Sequence, residues 1–328
     1  MKLIVNIPAY NEGALIGGTI KKIRESFSAD FYAEKSALID EKIIQVVDDG
    51  STDDTAQKAK EAGADIVISY KPNRRLAYSF KQAVESSLKN SADLMVNIDA
   101  DGQFNPYDIP KLLTPILEGK ADMVIANRFG EIEAKNIPWV RKNLNKFAAN
   151  VIGFFLNYKT NDLTCGFRAH NRETLLRLNL TNVHFTYTQE TIIDAIGKNL
   201  KLFWVPIEVT YFDNREAKIT KSIWKFVNNS TKIILKAIRD IRPMKFFGVP
   251  GLFLIFLSLV SFGIFLFNYF PDLNITRYRN YLIFGIALFL VGLQFVVFAL
   301  IADMIKSSRQ LTEELMYQWK KDKYDAGK

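Results

Sequence analysis

Three features of the chain predict an α/β domain with a mostly parallel sheet, followed by two membrane-crossing helices. Short apolar runs alternate with segments of helical periodicity up to about residue 209. Polar motifs recur at the carboxyl ends of those runs. Two stretches without a charged residue, 246–270 and 281–302, lie further on. The first two features put a ligand cleft at the carboxyl edge of the sheet, where open α/β sheets bind. In the third, each stretch exceeds the roughly 20 residues that a helix needs to cross a bilayer.

Residues 3–7 are an apolar run stopped by Pro8, expected as the first strand with no signal-peptide pattern before it. Asn11, Glu12 and Gly13 form a turn, and residues 14–27 have helical spacing. Residues 43–47 are a second strand ending in Asp48-Asp49-Gly50-Ser51. Thr52-Asp53-Asp54-Thr55 offers N-cap chemistry for a helix to about Ala62. Residues 66–69 read as strand, 76–88 as helix and 94–98 as a fourth strand. Helix is expected at 109–117, and a fifth strand at 123–126 runs into Asn127-Arg128. This alternation predicts a sheet covered by helices on both faces. Beyond Phe129 the pattern is irregular, then helical over 140–156. Residues 162–168 look turn-like, 185–196 helical, 202–209 strand-like, and 211–221 form a charged loop.

The two charge-free runs are expected to form a transmembrane hairpin, 246–303, around a polar loop containing Pro271, Asp272, Arg277 and Arg279. A buried core hairpin is the alternative that their length disfavours. Lys232, Lys236, Arg239, Arg242, Lys245, Lys306 and Arg309 flank the hairpin, against two arginines inside it. The positive-inside bias then puts the N-terminal α/β domain and both termini in the cytoplasm, at a cell (inner or ER-type) membrane. Basic residues interleave with apolar ones at helical spacing between 224 and 242. That suits a juxtamembrane helix on an anionic lipid face, and equally an amphipathic helix packed on the globular domain. The expected domains are therefore 1–223 (catalytic), 224–245 (amphipathic helix), 246–303 (hairpin) and 304–328 (tail). From residue 311 the tail is expected as a short helix followed by disorder.

Hydrophobic residues make up 48% of the chain beside 24% charged, which fits a soluble domain joined to apolar spans. A net charge of +8 suits a membrane surface or a phosphorylated substrate. The chain has no Lys/Arg-rich arm and no zinc-finger spacing, so nucleic acid is the weakest partner class. The single cysteine, Cys165, excludes an internal disulfide and fits a reducing compartment.

The chemistry centres on Asp99-Ala100-Asp101-Gly102-Gln103, directly after the fourth strand. Two carboxylates there can hold a hard divalent cation through oxygen, and the cation can hold a diphosphate. Asp-x-Asp also occurs by chance in surface turns, so its weight comes from the motifs around it.

Those motifs are Ile7-Pro8-Ala9-Tyr10-Asn11-Glu12, Val47-Asp48-Asp49-Gly50-Ser51, the Asp99–Gln103 stretch, Asn127-Arg128-Phe129, and Asp162 with Gly166-Phe167. Together they resemble family 2 glycosyltransferases, which have the GT-A fold. The closer resemblance is to polyprenyl-phosphate glycosyltransferases, the dolichol-phosphate mannose synthase group with a C-terminal transmembrane hairpin. It covers about residues 1–225 by motif and 246–303 by architecture. The resemblance implies that Pro8, Tyr10, Glu12, Asp48 and Asp49 line the nucleotide pocket. It implies that Asp99, Asp101 and Gln103 hold Mg²⁺ or Mn²⁺ and the donor diphosphate. Arg128 and Arg141 resemble the family's phosphate-binding arginines, and Arg215 and Lys221 its basic pair over donor and acceptor phosphates. Glu190 matches a carboxylate near the acceptor, although a helix-surface role fits it as well. A homo-oligomer is implied by the resemblance alone.

Two departures stand out. Where the family commonly has a glycine-rich segment, this chain has Lys71-Pro72-Asn73-Arg74-Arg75-Leu76-Ala77. The loop 214–222 lacks the usual glycine. The absence of Gln-x-x-Arg-Trp argues against a processive synthase.

The implied reaction is inverting transfer of one sugar from a UDP- or GDP-sugar to a polyprenyl phosphate such as undecaprenyl or dolichyl phosphate. That acceptor is largely dianionic at neutral pH and needs no strong base, so His170 and His184 are expected to be structural. A hydroxyl acceptor such as diacylglycerol or ceramide would need a base, with Glu190 or Asp162 as candidates. A non-catalytic membrane scaffold that only binds nucleotide sugars is the third possibility, which the intact acidic and basic set disfavours.

Overall fold

The computed structural model describes residues 1–35, 37–128, 150, 153, 157–179, 187–209, 235, 238–273 and 275–325. The chain divides into two units. The first comprises residues 1–153, 158–233 and 315–328, and the second 154–157 and 234–314.

The first unit is built on a seven-stranded sheet. Its strands are β1 (Lys2–Ala9), β2 (Glu41–Asp48), β3 (Ile66–Ser69), β4 (Leu94–Asn97), β5 (Met123–Asn127), β6 (Arg168–Asn171) and β7 (Leu202–Pro206). They lie in the order β3-β2-β1-β4-β6-β5-β7. All pairings are parallel except those of β6, which runs antiparallel to β4 and β5. The described helices of this unit include α1 (Ile16–Ser26), α2 (Asp30–Glu34), α3 (Thr55–Glu61), α4 (Leu76–Lys89), α5 (Ile109–Leu117), α6 (Arg172–Arg177) and α7 (Tyr187–Gly197).

Hydrophobic runs set the strands. β4 and β5 are buried at every residue, as strands covered on both faces must be. α1 buries Ile16, Thr19, Ile20 and Ile23 at three- and four-residue spacing. One polar chain crosses three strands inside this core. Asn6 donates to Asn97 Oδ1 at 2.7 Å, and Gln45 donates to Asn6 Oδ1 at 3.0 Å. Because the partners are satisfied only at this alignment, the chain fixes the register of β2, β1 and β4.

Two expectations need correction in this unit. Pro8 does not stop β1 but lies inside it, opposite Val47. On the other side of β1, the ladder to β4 ends at the Asn6–Asn97 pair, so the N–H that proline lacks has no partner to lose there. Arg168, expected within the turn-like 162–168 stretch, opens β6, and residues 169–177, to which the sequence assigned no element, complete β6 and form α6. β6 reads Arg-Ala-His-Asn, too short and too polar to show strand periodicity. The helix expected over 140–156 lies outside the described residues apart from isolated positions.

The second unit contains α8 (Val249–Asp272), led by a π-type turn at Met244–Gly248, and most of α9 (Ile275–Asp325). Both helices are long and apolar enough to cross a bilayer. Large apolar side chains stand exposed along them, among them Phe253, Phe256, Phe267 and Phe284. In water this surface would be costly, so the pair marks a membrane-associated chain. Small residues let the helices meet. A Cβ on Gly251 would lie 2.9 Å from the Gly292 carbonyl oxygen, and one on Gly292 the same distance from that of Gly251. Ser258 and Ser261 donate across to the Gly285 and Tyr281 carbonyls, each at 2.8 Å. The expected polar loop is far shorter than its sequence suggests. Pro271 and Asp272 complete α8, and Leu273 turns the chain with φ +45°. Arg277 and Arg279 already belong to α9. Of the 224–242 stretch, only 235 and 238–242 are among the described residues.

The tail also differs from expectation. Instead of a short helix and disorder, α9 continues to Asp325, and its residues from Leu315 belong to the first unit. Tyr317 is buried in a cluster with Phe80, Leu88, Leu175 and Leu176. Its hydroxyl donates to Glu173 Oε2 at 2.9 Å, and the Arg177 guanidinium lies 4.1 Å from its ring centre. The Lys320 ammonium donates to Leu176 O, Leu178 O and Asn179 Oδ1 at 3.2, 2.8 and 2.8 Å, satisfying carbonyls at the end of α6. Asp325 pairs with Arg172 at 2.6 Å. This segment is a clasp on the first unit.

Candidate active site

β1, β2, β4 and β5 are mutually parallel, so their carboxyl ends share one edge of the sheet. β6, running the other way, starts at that edge. Every polar motif of the described sequence therefore arrives at one cleft.

Asp99 follows β4 by two residues and is half-buried. The Thr19 hydroxyl of α1 donates to the Ala100 carbonyl at 3.0 Å and fixes the loop from one side. Gly166 packs against the Asp99 carboxylate from the other, where a Cβ would stand 3.1 Å from both oxygens. Asp101 Oδ1 accepts the Gln103 N–H at 3.1 Å across Gly102, whose φ of +73° suits glycine. Burial pushes the Asp99 carboxyl up to about 7, with the neighbouring Asp101 and Glu12 charges adding to it and Arg128 and Arg168 opposing.

Among the described residues, no group of three or more His, Cys, Asp or Glu side chains could hold a metal by itself. Two carboxylates completed by phosphate oxygens are nevertheless a normal magnesium-type donor set. The residues present fit a divalent cation that arrives with, or receives, a diphosphate.

Arg128 ends β5 and grips Asp162 with two prongs. Nε lies 2.7 Å from Oδ2 and Nη2 lies 3.0 Å from Oδ1. Nη2 also reaches Thr164 Oγ1 at 2.6 Å. Burial raises the proton affinity of Asp162, but the Arg128 charge and hydrogen bonds outweigh it and hold the carboxyl below its ordinary range.

On the β1–β2 side, Pro8 is buried in its strand and Tyr10 stands exposed at the cleft. The Glu12 carbonyl accepts the Leu15 and Ile16 N–H groups and starts α1, while its own N–H donates to Thr55 Oγ1. Asp54 occupies the N-cap position of α3 without a side-chain cap, and the Asp53 carboxylate before it accepts the Thr55 N–H at 3.1 Å. The Asp48 and Asp49 carboxylates, expected to face a nucleotide, hold the protein's own groups. Asp48 accepts from Ser51 N and Ser69 Oγ. Asp49 accepts Arg74 N at 2.8 Å, and its carbonyl accepts from Asn73 Nδ2 at 2.9 Å. Asp49 thereby shapes the 70–75 loop, and Gly50, with φ +72°, lies too close to that loop for any Cβ. Arg74 lies over the Tyr78 ring, 4.8 Å from its centre.

Glu190 is half-buried in the first turn of α7. Arg141, Arg215 and Lys221 lie outside the described residues. His170 is fully buried, and burial followed by the Arg168 charge lowers it to about 3, so it is neutral at physiological pH.

Sequence reasoning gave no role to Arg168, Thr164, Asn97 or Thr19. For Arg168 the available signal was a charged residue set between Phe167 and Ala169, an arginine in an otherwise buried run.

The profile of the family described as glycosyl transferase family 2 matches residues 4–178. The chain is 31% identical over 189 residues to the polyprenol monophosphomannose synthase of Mycolicibacterium smegmatis, covering 54% of this chain and 69% of that one. It is 29% identical over 260 residues to the dolichol-phosphate mannosyltransferase of Pyrococcus furiosus, covering 77% and 69%. Among solved structures, the glucosyl-3-phosphoglycerate synthase of Mycobacterium tuberculosis, in complex with Mn²⁺, uridine diphosphate and glucosyl-3-phosphoglycerate, superposes with a TM-score of 0.52. Identity there is 21%, over 73% of this chain and 78% of that one, a likeness of fold.

Proposed function

The chain belongs to glycosyl transferase family 2, and from that premise we propose that it transfers a single sugar from a nucleoside-diphosphate sugar to a polyprenyl phosphate. The observation that carries this reading is the Asp99–Asp101 pair beside the pronged Arg128, in a chain that also has two bilayer-length apolar helices. The names of the two mannosyl-transferring relatives support the acceptor class.

Asp99 and Asp101, with Gln103, would hold Mg²⁺ or Mn²⁺, which supplies charge neutralisation to the departing diphosphate. Arg128 is oriented by Asp162 before substrate arrives, so its guanidinium needs little reorganisation as charge develops. Tyr10 offers a ring at the nucleotide side, and the 70–75 loop shaped by Asp49 walls it. The acceptor phosphate, already dianionic, attacks the anomeric carbon from the face opposite the leaving group and inverts it. Arg141, Arg215 and Lys221 are assigned to phosphate binding on the motif resemblance alone. The hairpin at 246–303 anchors the catalytic domain, with both termini in the cytoplasm, and 304–328 is divided between a helical continuation and the clasp.

The test is a transfer assay on the purified full chain with undecaprenyl and dolichyl phosphate and a panel of radiolabelled UDP- and GDP-sugars, in Mg²⁺, Mn²⁺ or EDTA. A lipid-linked monosaccharide that disappears in EDTA is expected. Product only with diacylglycerol or ceramide would move the reaction to a hydroxyl acceptor and give Glu190 the role of base. Donor binding without turnover on any lipid would leave a nucleotide-sugar-binding scaffold.

A further inference from the structure

Arg168 is the largest fully buried side chain of the described residues, 1% exposed. Nε donates to the Cys165 carbonyl at 2.7 Å, Nη2 to the Leu163 carbonyl at 3.4 Å, and Nη1 to the Thr191 hydroxyl. All three acceptors are neutral. A buried cation held by neutral groups alone is expensive, and an apolar side chain would fill the same space at lower cost. Its charge is balanced at longer range by Asp162 and Asp99, both of which it influences.

Its bonds connect two elements of the cleft. Leu163 and Cys165 belong to the 162–167 loop. That loop carries Asp162 and Thr164, which aim Arg128, and Gly166, which lies against Asp99. Thr191 is on α7, next to Glu190, and its hydroxyl in turn donates to the Thr188 carbonyl. Arg168 faces Asn97 across the β4–β6 ladder, and Asn97 Nδ2 donates to the Gly166 carbonyl at 3.1 Å. The loop is thus held from the strand side by Asn97 and from the helix side by Arg168.

We propose that Arg168 is a positioning residue for sugar transfer: its buried guanidinium ties the 162–167 loop to α7 and so keeps Arg128 in register with Asp99. The role rests on the transferase reading above. It predicts that the neutral acceptors need the fork of a guanidinium, because three hydrogen bonds leave it in three directions.

The lone cysteine provides a readout independent of turnover. Cys165 is buried in the same loop and accepts Arg168 through its carbonyl, so maleimide labels it only when the loop opens. Arg168→Met, Arg168→Lys and Thr191→Val are compared with the wild type in the full-length protein. Readouts are the melting temperature, the Cys165 labelling rate, and kcat and donor KM. Arg168→Met is expected to label about tenfold faster and to lose about 10- to 100-fold in kcat, the range for displaced support of a reacting group, with donor KM changed less than about threefold. Arg168→Lys should fall between it and the wild type, and Thr191→Val should shift labelling and kcat in the same direction. Wild-type labelling and kcat in a folded Arg168→Met protein would overturn the proposal. If Arg168→Met does not fold, wild-type values for Thr191→Val overturn it instead. Should the wild type transfer to no phosphate lipid, the acceptor reading fails, while the labelling series still decides whether Arg168 holds the loop.

Discussion

Arg128 meets Asp162 in a two-pronged ion pair, with Nε–Oδ2 at 2.7 Å and Nη2–Oδ1 at 3.0 Å. Asp162 is fully buried while Arg128 keeps a narrow path to solvent. The carboxylate is therefore the anchor and the guanidinium the arm that can address a ligand. Asp162→Asn removes the charge and keeps the shape. The variant should lose about 2–3 kcal/mol, near the low end for breaking a buried pair because Arg128 can be rehydrated. Because the Asp162 carboxyl titrates below its ordinary range when folded, its contribution is complete above about pH 4 and is lost as pH falls through the depressed value. Urea midpoints measured from pH 7 down to 3 should fall more steeply below pH 4 for the wild type than for the variant.

Asp101→Asn retains the oxygen that accepts the Gln103 N–H and so keeps the loop. Its melting temperature should match the wild type within about 2 °C, while transfer falls by at least about 100-fold, as expected for loss of a charged group at the developing negative charge. Full activity in the folded variant would remove Asp101 from the site.

Asp99 links stability to pH in the opposite sense from Asp162. Its folded value of about 7 lies above that of an unfolded aspartate, so the stabilisation is complete below about pH 4 and is lost as pH rises through 7. A cation needs the ionised form and competes with the proton. Adding Mn²⁺ should raise the melting temperature more at pH 8 than at pH 6, and Asp99→Asn should abolish that difference.

Tyr317→Ala tests the clasp. It empties a site beside Phe80 and Leu175 and leaves Glu173 and Arg177 without the ring between them. A loss of about 3–5 kcal/mol is expected for truncating a buried aromatic side chain. Hydrogen exchange should show the gain in exchange concentrated in α4 and α6, which line the cluster.

The sheet was legible wherever strands are buried on both faces, because Val, Ile and Leu runs such as residues 94–98 leave little choice of structure. The carboxyl-edge cleft followed from the positions of Asp48, Asp99 and Arg128 at the ends of those runs. β6 escaped because its stability comes from neighbours on both sides and not from its own composition. The engagement of Asp48 with Ser69 and of Asp49 with Arg74 could not be read, since hydrogen-bond partners more than 20 residues apart leave no local pattern. Arg168 offered only the local signal of a charge inside an apolar run, because a buried arginine and an exposed one are the same letter. The clasp was missed because 311–328 is rich in charge, and Tyr317 by itself does not announce a core position.

The clasp also bears on how the protein is made. Tyr317 completes a cluster whose other fully buried members lie between Val47 and Tyr187, and both apolar helices come between them in the chain. Both helices are therefore synthesised before the first unit can close around Tyr317. Until then Phe80 and Leu88 of α4, with Leu175 and Leu176 of α6, lack the ring that packs on them in the folded unit.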